Sequence, residues 1–138
     1  MPLYNSSAFQ GVNWAANTIK AALLTADYVP DAINDATWGD VSSYECSGTG
    51  YTAGGLTLSS KTVTDSTDGL MRTITAEDAV WDPVDLTDCG WLVVYDETAD
   101  ALVCYIDCRN GTSGRNVSNG RAQIQISGEG YAQQVFFS

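Results

Sequence analysis

The stretch Gly90-Trp91-Leu92-Val93-Val94-Tyr95-Asp96-Glu97-Thr98-Ala99-Asp100-Ala101-Leu102-Val103-Cys104-Tyr105-Ile106 reads as two apolar strands around a polar turn. Val, Ile, Tyr and Trp suit a pleated, half-buried backbone, and Asp96 to Asp100 has turn composition. Neither strand alternates, so both faces of the hairpin are apolar. Such a pair lies centrally in a sandwich or has one face covered by a partner. With Asp96 opposite Ala101, Tyr95 faces Leu102, Val93 faces Cys104 and Cys89 faces Cys108. Directly opposed residues lie about 5 Å apart, inside the roughly 7 Å between Cα atoms that a disulfide tolerates. Cys104 and Cys108, four apart on one strand, are separated by about 13 Å and do not pair. This register makes Cys89 and Cys108 neighbours, with free thiols as the default in a reducing cytosol.

The sequence downstream continues as β structure. Arg109 to Gly120 reads as a long polar loop. Arg121 to Ser127 alternates, with Ala122, Ile124 and Ile126 on one face. A last strand is expected from Tyr131 to Ser138, with Val135, Phe136 and Phe137 buried. Upstream, Leu56 to Ser59 and Lys61 to Thr64 are short strands or one bent strand. Asp65 to Gly69 is a turn, and Leu70 to Ala76 alternates. Val80-Trp81 ends a further short strand, which Pro83 is expected to stop.

The glycine-rich run Gly48 to Gly55 lacks the Lys-Ser/Thr pair of a phosphate loop, so its glycines are expected to serve turns and bulges. Thr37-Trp38-Gly39-Asp40 has the spacing of a capping box and predicts one helical turn near residues 38–43, pinned to the core by Trp38. Residues 14–26 stay open. Their Ala and Leu content favours helix, and Thr18 to Leu24 also reads as a strand. The first dozen residues form an edge strand or an arm, which docks elsewhere or packs on its own domain. About eight strands spaced by turns predict an all-β sandwich or barrel. The expectation is a single domain over residues 1–138, with residues 1–13 as a candidate arm.

Charge narrows the function. Seventeen Asp and Glu against six Lys and Arg give a net charge of −11, and there is no His. Phosphate backbones and anionic lipid surfaces repel such a chain, so neither nucleic acid nor membrane is an expected partner. Ile19 to Leu24, the longest apolar candidate, is far too short for a membrane span and is interrupted by Lys20. The opening residues lack the basic and apolar regions of a signal peptide, so synthesis in a cytosol is expected.

Without His, a Ser or Cys nucleophile has no common base. A glycosidase would need two convergent carboxylates. Cys46, Cys89, Cys104 and Cys108 have no CxxC spacing and no His to complete a common zinc set. The acidic loops Asp65–Gly69 and Asp96–Asp100 lack the ligand alternation of an EF-hand and fit turn chemistry. No catalytic, cofactor-binding or metal-binding residue is expected.

Several ordered segments resemble small structural proteins of tailed bacteriophages. They are Thr18-Ile19-Lys20-Ala21-Ala22-Leu23-Leu24 with Tyr28-Val29-Pro30-Asp31, and Trp38-Gly39-Asp40-Val41 with Gly48-Thr49-Gly50-Tyr51-Thr52-Ala53-Gly54-Gly55-Leu56-Thr57-Leu58. Asp78-Ala79-Val80-Trp81, Tyr95-Asp96 and Leu102-Val103-Cys104-Tyr105-Ile106-Asp107 extend the similarity over most of the chain. The best understood proteins of this type are cement, or decoration, proteins. The resemblance implies a jelly-roll-like β-sandwich on the outer head surface of a virion. It also implies a homo-dimer or homo-trimer that bridges subunits of the major capsid protein, and it tips Thr18 to Leu24 towards strand.

The residues expected at the partner interface are Leu3, Tyr4, Phe9, Trp14, Tyr131, Phe136 and Phe137, on the arm and the last strand. Deleting the residues before Asn13 is expected to weaken capsid binding and leave the fold intact. The alternative function is a tail, head-fibre or adhesin module recognising a host-surface glycan or protein. Its mark would be exposed aromatic faces, for which Trp14, Trp38, Trp81 and Trp91 are the candidates.

Overall fold

The computed structural model describes Tyr4 and residues 11–70, 72–126 and 135–138, residue 72 by its backbone alone. The fold is all-β and sandwich-like, built from antiparallel strands with one short helix. In chain order the elements are β1 (Ile19–Thr25), α1 (Trp38–Val41), β2 (Leu56–Thr57), β3 (Thr62–Asp65), β4 (Arg72–Thr75), β5 (Ala79–Asp96), β6 (Ala101–Asp107), β7 (Arg115–Ile124) and β8 (Val135–Phe137).

β5 organises the molecule. Its first half pairs with β7, which carries β8 on its other side. Its second half pairs with β1 and β6, and β2 lies beyond β1. Trp81, Val84 and Leu86 from the first half meet Leu92 and Val94 from the second half in one core, together with Ile19 and Leu23 of β1 and Ala122 and Ile124 of β7. The sheet therefore folds over itself along β5, and the main core fills the space between its two layers.

Pro83 does not stop this strand, contrary to expectation. β5 runs through it with a register shift between Trp81 and Val84, and the Asp82–Pro83 bond is cis. Among the register pairs Pro83 has none, so the N–H it lacks costs no ladder bond. The glycine-rich loop lies against this irregularity. Asp85 donates its N–H to the Thr49 carbonyl at 2.9 Å. Gly50, at φ +83°, comes so close that a Cβ would lie 2.2 Å from the Pro83 oxygen.

The β5–β6 hairpin begins in the expected register, Asp96 opposite Ala101 and Tyr95 opposite Leu102. Cys104 then lies opposite Val94 instead of Val93, and Val103 is left as the extra residue of a bulge. The slip carries to the end of the strand. Cys108 donates its N–H to the Gly90 carbonyl at 2.9 Å, while Cys89 pairs with Thr25 and Arg115. The expected opposition of Cys89 and Cys108 is thereby corrected, and all four cysteines are buried and free.

The chain itself covers both apolar faces of the hairpin. One faces the main core. On the other, Trp91, Val93, Tyr95 and Leu102 pack with Ala22 and Leu24 against Tyr4, Tyr28 and Val41. Tyr4 and residues 26–44, including α1, form this second cover. Asp40 accepts the N–H groups of Ala36 at 2.9 Å and Thr37 at 2.8 Å, the Asp half of the expected capping box. Trp38 stacks on Tyr95 with ring centres 4.6 Å apart.

The ambiguous segment is strand β1, every residue of which pairs with β5. Helix propensity differs by tenths of a kcal/mol per residue, and a full set of tertiary partners overrides it. β7 starts at Arg115, so the expected polar loop to Gly120 is half strand. Only Val117, opposite Leu86, faces inward there, while Asn116, Ser118 and Asn119 are exposed. In β8, Val135 and Phe137 pack part-buried on the core, but Phe136 is 56% exposed, correcting the expectation that all three are covered. β3 and β4 form a separate ribbon whose turn, Asp65 to Gly69, closes through Gly69 at φ +73°.

Candidate docking surface

The loop between β1 and α1 is held by its own polar groups. The Tyr4 hydroxyl donates to Tyr28 at 2.7 Å, and the Tyr28 hydroxyl donates to Asp35 at 2.7 Å. Asp35 also accepts the Asp31 N–H at 3.2 Å and donates its own N–H to the Asp31 carbonyl at 3.0 Å. Asp31 turns the chain by accepting the N–H groups of Ile33 and Asn34 at 3.1 and 3.0 Å, and the Asn34 amide at 2.7 Å. Leu102 of β6 donates to the Ala36 carbonyl at 2.8 Å and ties the loop to the hairpin. On this braced loop Val29 is 78% and Ile33 79% exposed. The half-exposed Tyr44 ring lies 5.5 Å from Tyr28, next in sequence to Val29.

Other large apolar side chains in water are Leu70 at the ribbon tip, Val63 on the ribbon and Phe136 on β8. Of the residues expected at an interface, Tyr4 and Trp14 are taken up by the chain's own core. Tyr4 also donates its N–H to the Val103 carbonyl, and the Trp14 indole donates to the Thr75 carbonyl at 2.9 Å. Phe137 lies part-buried with Arg115 5.7 Å from its ring centre. Phe136 alone of the described candidates is exposed; Leu3, Phe9 and Tyr131 lie outside the described residues. Sequence reasoning missed Val29 and Ile33. The available signal was two aliphatic residues flanking Pro30-Asp31 in a segment of turn composition.

The described basic side chains are engaged within the molecule. Lys20 pairs with Glu97 at 2.9 Å, Arg109 with Asp107 at 2.9 Å and Arg121 with Asp82 at 3.4 Å. Lys61 donates to the Asn17 carbonyl and Arg115 to the Cys108 carbonyl. Arg109 also lies over the Trp91 ring, 4.3 Å from its centre. Carboxylates therefore dominate what the surface presents.

The described titratable groups with shifted ionisation owe it to burial and to local hydrogen bonds. Burial pushes the thiols of Cys104 and Cys108 up to about 12. A hydrogen bond with Cys46, then burial, raises that of Cys89. Asp31, Asp40, Asp68 and Glu77 are held below the usual carboxylate range by donors from neighbouring residues, and Asp107 by the Arg109 guanidinium. Asp96 is fully buried and accepts the N–H groups of Asn13 and Ala99 and the Asn17 amide, so it anchors the hairpin turn. In the other acidic loop, Asp68 takes Ser66 and the Leu70 N–H. Among the described residues no three Cys, Asp or Glu converge as metal ligands, and no helix is long and apolar enough to cross a membrane. The described surface carries separate exposed apolar side chains amid an excess of carboxylates. No known protein family, curated protein or solved structure matches the chain.

Proposed function

We propose that the chain is a non-enzymatic structural protein of a tailed-phage virion, binding the outer surface of the head and bridging neighbouring subunits of the major capsid protein. The likeness of its ordered segments to such proteins supplies the class. The observation that carries the binding reading is the placement of Val29, Ile33, Leu70 and Phe136 in water on loop tips and a sheet edge of a closely packed β scaffold. Separate apolar points suit modest contacts multiplied by the symmetry of a shell. A net charge of −11 suits a place outside the shell, away from packaged nucleic acid. A clamp that binds the assembled shell in preference to separated subunits stabilises it by mass action. Raised thiols and lowered carboxylates fit a chain selected for contact and not for proton transfer.

The adhesin reading draws less support. Trp14, Trp81 and Trp91 are buried, and one face of Trp38 is covered by Tyr95, so the tryptophans expected to meet sugar rings are taken up by the chain's own packing. Co-sedimentation with empty heads, followed by heating of the heads with and without the protein, tests the proposal. Saturable binding with a higher shell-melting temperature is expected. Heads that pellet without the protein at every concentration would end the cement reading and turn attention to host-surface ligands. Sedimentation of the free protein reports whether it arrives as the proposed homo-dimer or homo-trimer.

A further inference from the structure

We infer that the loop carrying Val29 and Ile33, with Tyr44 beside it, is a preorganised docking prong for a protein face that offers an apolar socket bordered by Lys and Arg. That the face belongs to a shell subunit rests on the reading above; the prong does not.

Two aliphatic side chains about four-fifths in water add nothing to the packing of this fold. Yet the backbone that holds them is braced at Asp31 and Asp35 and tied through Tyr28 to Tyr4 in the second core. Ordering a loop on binding costs about 1–2 kcal/mol per residue. Here that ordering precedes contact, so the apolar area buried on docking goes more fully into affinity. An exposed aliphatic pair on a rigid base has the form of an interface anchor, a point that fills a socket on its partner.

Charge identifies the occupant. Between Lys20 and Lys61 the sequence has no Lys or Arg but has Asp27, Asp31, Asp35, Asp40 and Glu45. Four of these acids lie within the same loop and α1 as the prong. A second copy of this chain would set carboxylates against carboxylates, and anionic lipid or nucleic acid would meet the same repulsion. A socket rimmed by Lys or Arg both accepts the aliphatic tips and neutralises the acids around them. Leu70 and Phe136 differ in having basic residues on their own ribbon or strand pair, Arg72 near Leu70 and Arg115 and Arg121 on the strand beside Phe136, whereas the prong's own segment has none.

The test uses the full chain. Val29→Ser with Ile33→Ser should leave the melting curve unchanged and weaken co-sedimentation with empty heads by at least about tenfold in Kd. Val63→Ser, at an exposed ribbon position apart from Val29, Ile33, Leu70 and Phe136, should bind as the parent does. Raising salt should weaken the parent, as a basic rim requires. Unchanged binding by the double variant overturns the inference. If the parent itself does not bind heads, the cement reading fails, and a photo-cross-linking side chain at position 33, used in infected cells, tests the prong alone. Cross-links to a partner peptide in which Lys or Arg flanks apolar residues sustain it. Cross-links only to copies of this chain, or none, overturn it.

Discussion

Asp40 accepts two backbone N–H groups on one oxygen at the start of a helix of one turn, and these bonds hold its ionisation below the usual range. The folded protein therefore holds this proton less tightly than the unfolded chain does. The stabilisation is present above the ordinary carboxylate range, near pH 4, and is lost as pH falls through the lower folded value. Asp40→Ala should lower the melting temperature at pH 7 by about 3 °C, the size of an ordinary cap in a chain of this length. The gap to the parent should narrow as pH falls below the ordinary carboxylate range and through the lower folded value. Thermal scans of both proteins across that range check it, and the subtraction removes the relief of general acidic repulsion common to both. The cap was legible in Thr37-Trp38-Gly39-Asp40 because the signal spans four adjacent residues. Val103 was not legible. Its bulge depends on how Leu102 and Cys104 pack into opposite cores, which no spacing within the hairpin records. That one residue separates the expected register, Cys89 opposite Cys108, from the observed one, in which Cys108 bonds to Gly90.

β5 shows why strand boundaries were harder to read than strand existence. A proline in a run of alternating residues ordinarily ends a strand, but here the strand bends through it because a second segment supplies bonds at the bend. Gly50 is part of that support. Gly50→Ala forces a Cβ into the Pro83 carbonyl and a side chain into positive φ, and should cost at least about 2 kcal/mol. A fall in the urea midpoint with unchanged slope would register it, whereas an unchanged midpoint would mean that the loop does not need to lie so close. β7 was hidden for a related reason. Its first half has a single inward residue, Val117, among polar neighbours, so composition alone reads as loop. Helix against strand at β1 was undecidable locally because its partners lie some seventy residues away.

At the level of the whole molecule, an all-β fold with a doubly buried central hairpin could be read from the sequence, whereas what covers the hairpin's second face could not. A partner and the chain's own residues 26–44 are equivalent as far as the hairpin sequence is concerned. The same limit applies to the N-terminal aromatics, and Tyr4 belongs to the second core. Removing residues 1–12 should therefore destabilise the protein by about 3 kcal/mol or more, the usual loss for a buried aromatic. The expectation from the sequence alone is that this truncation leaves the fold intact. Calorimetry of the truncated chain decides between them. The long span of β5 also sets a clock. β1 emerges from the ribosome early, but its partners Cys89 to Asp96 come about seventy residues later. At about 5–20 residues per second, that is roughly 4–14 s during which an Ile-Lys-Ala-Ala-Leu-Leu segment has no sheet to join. Translation speed and chaperone occupancy over that interval then matter to the nascent chain alongside the stability of the finished fold.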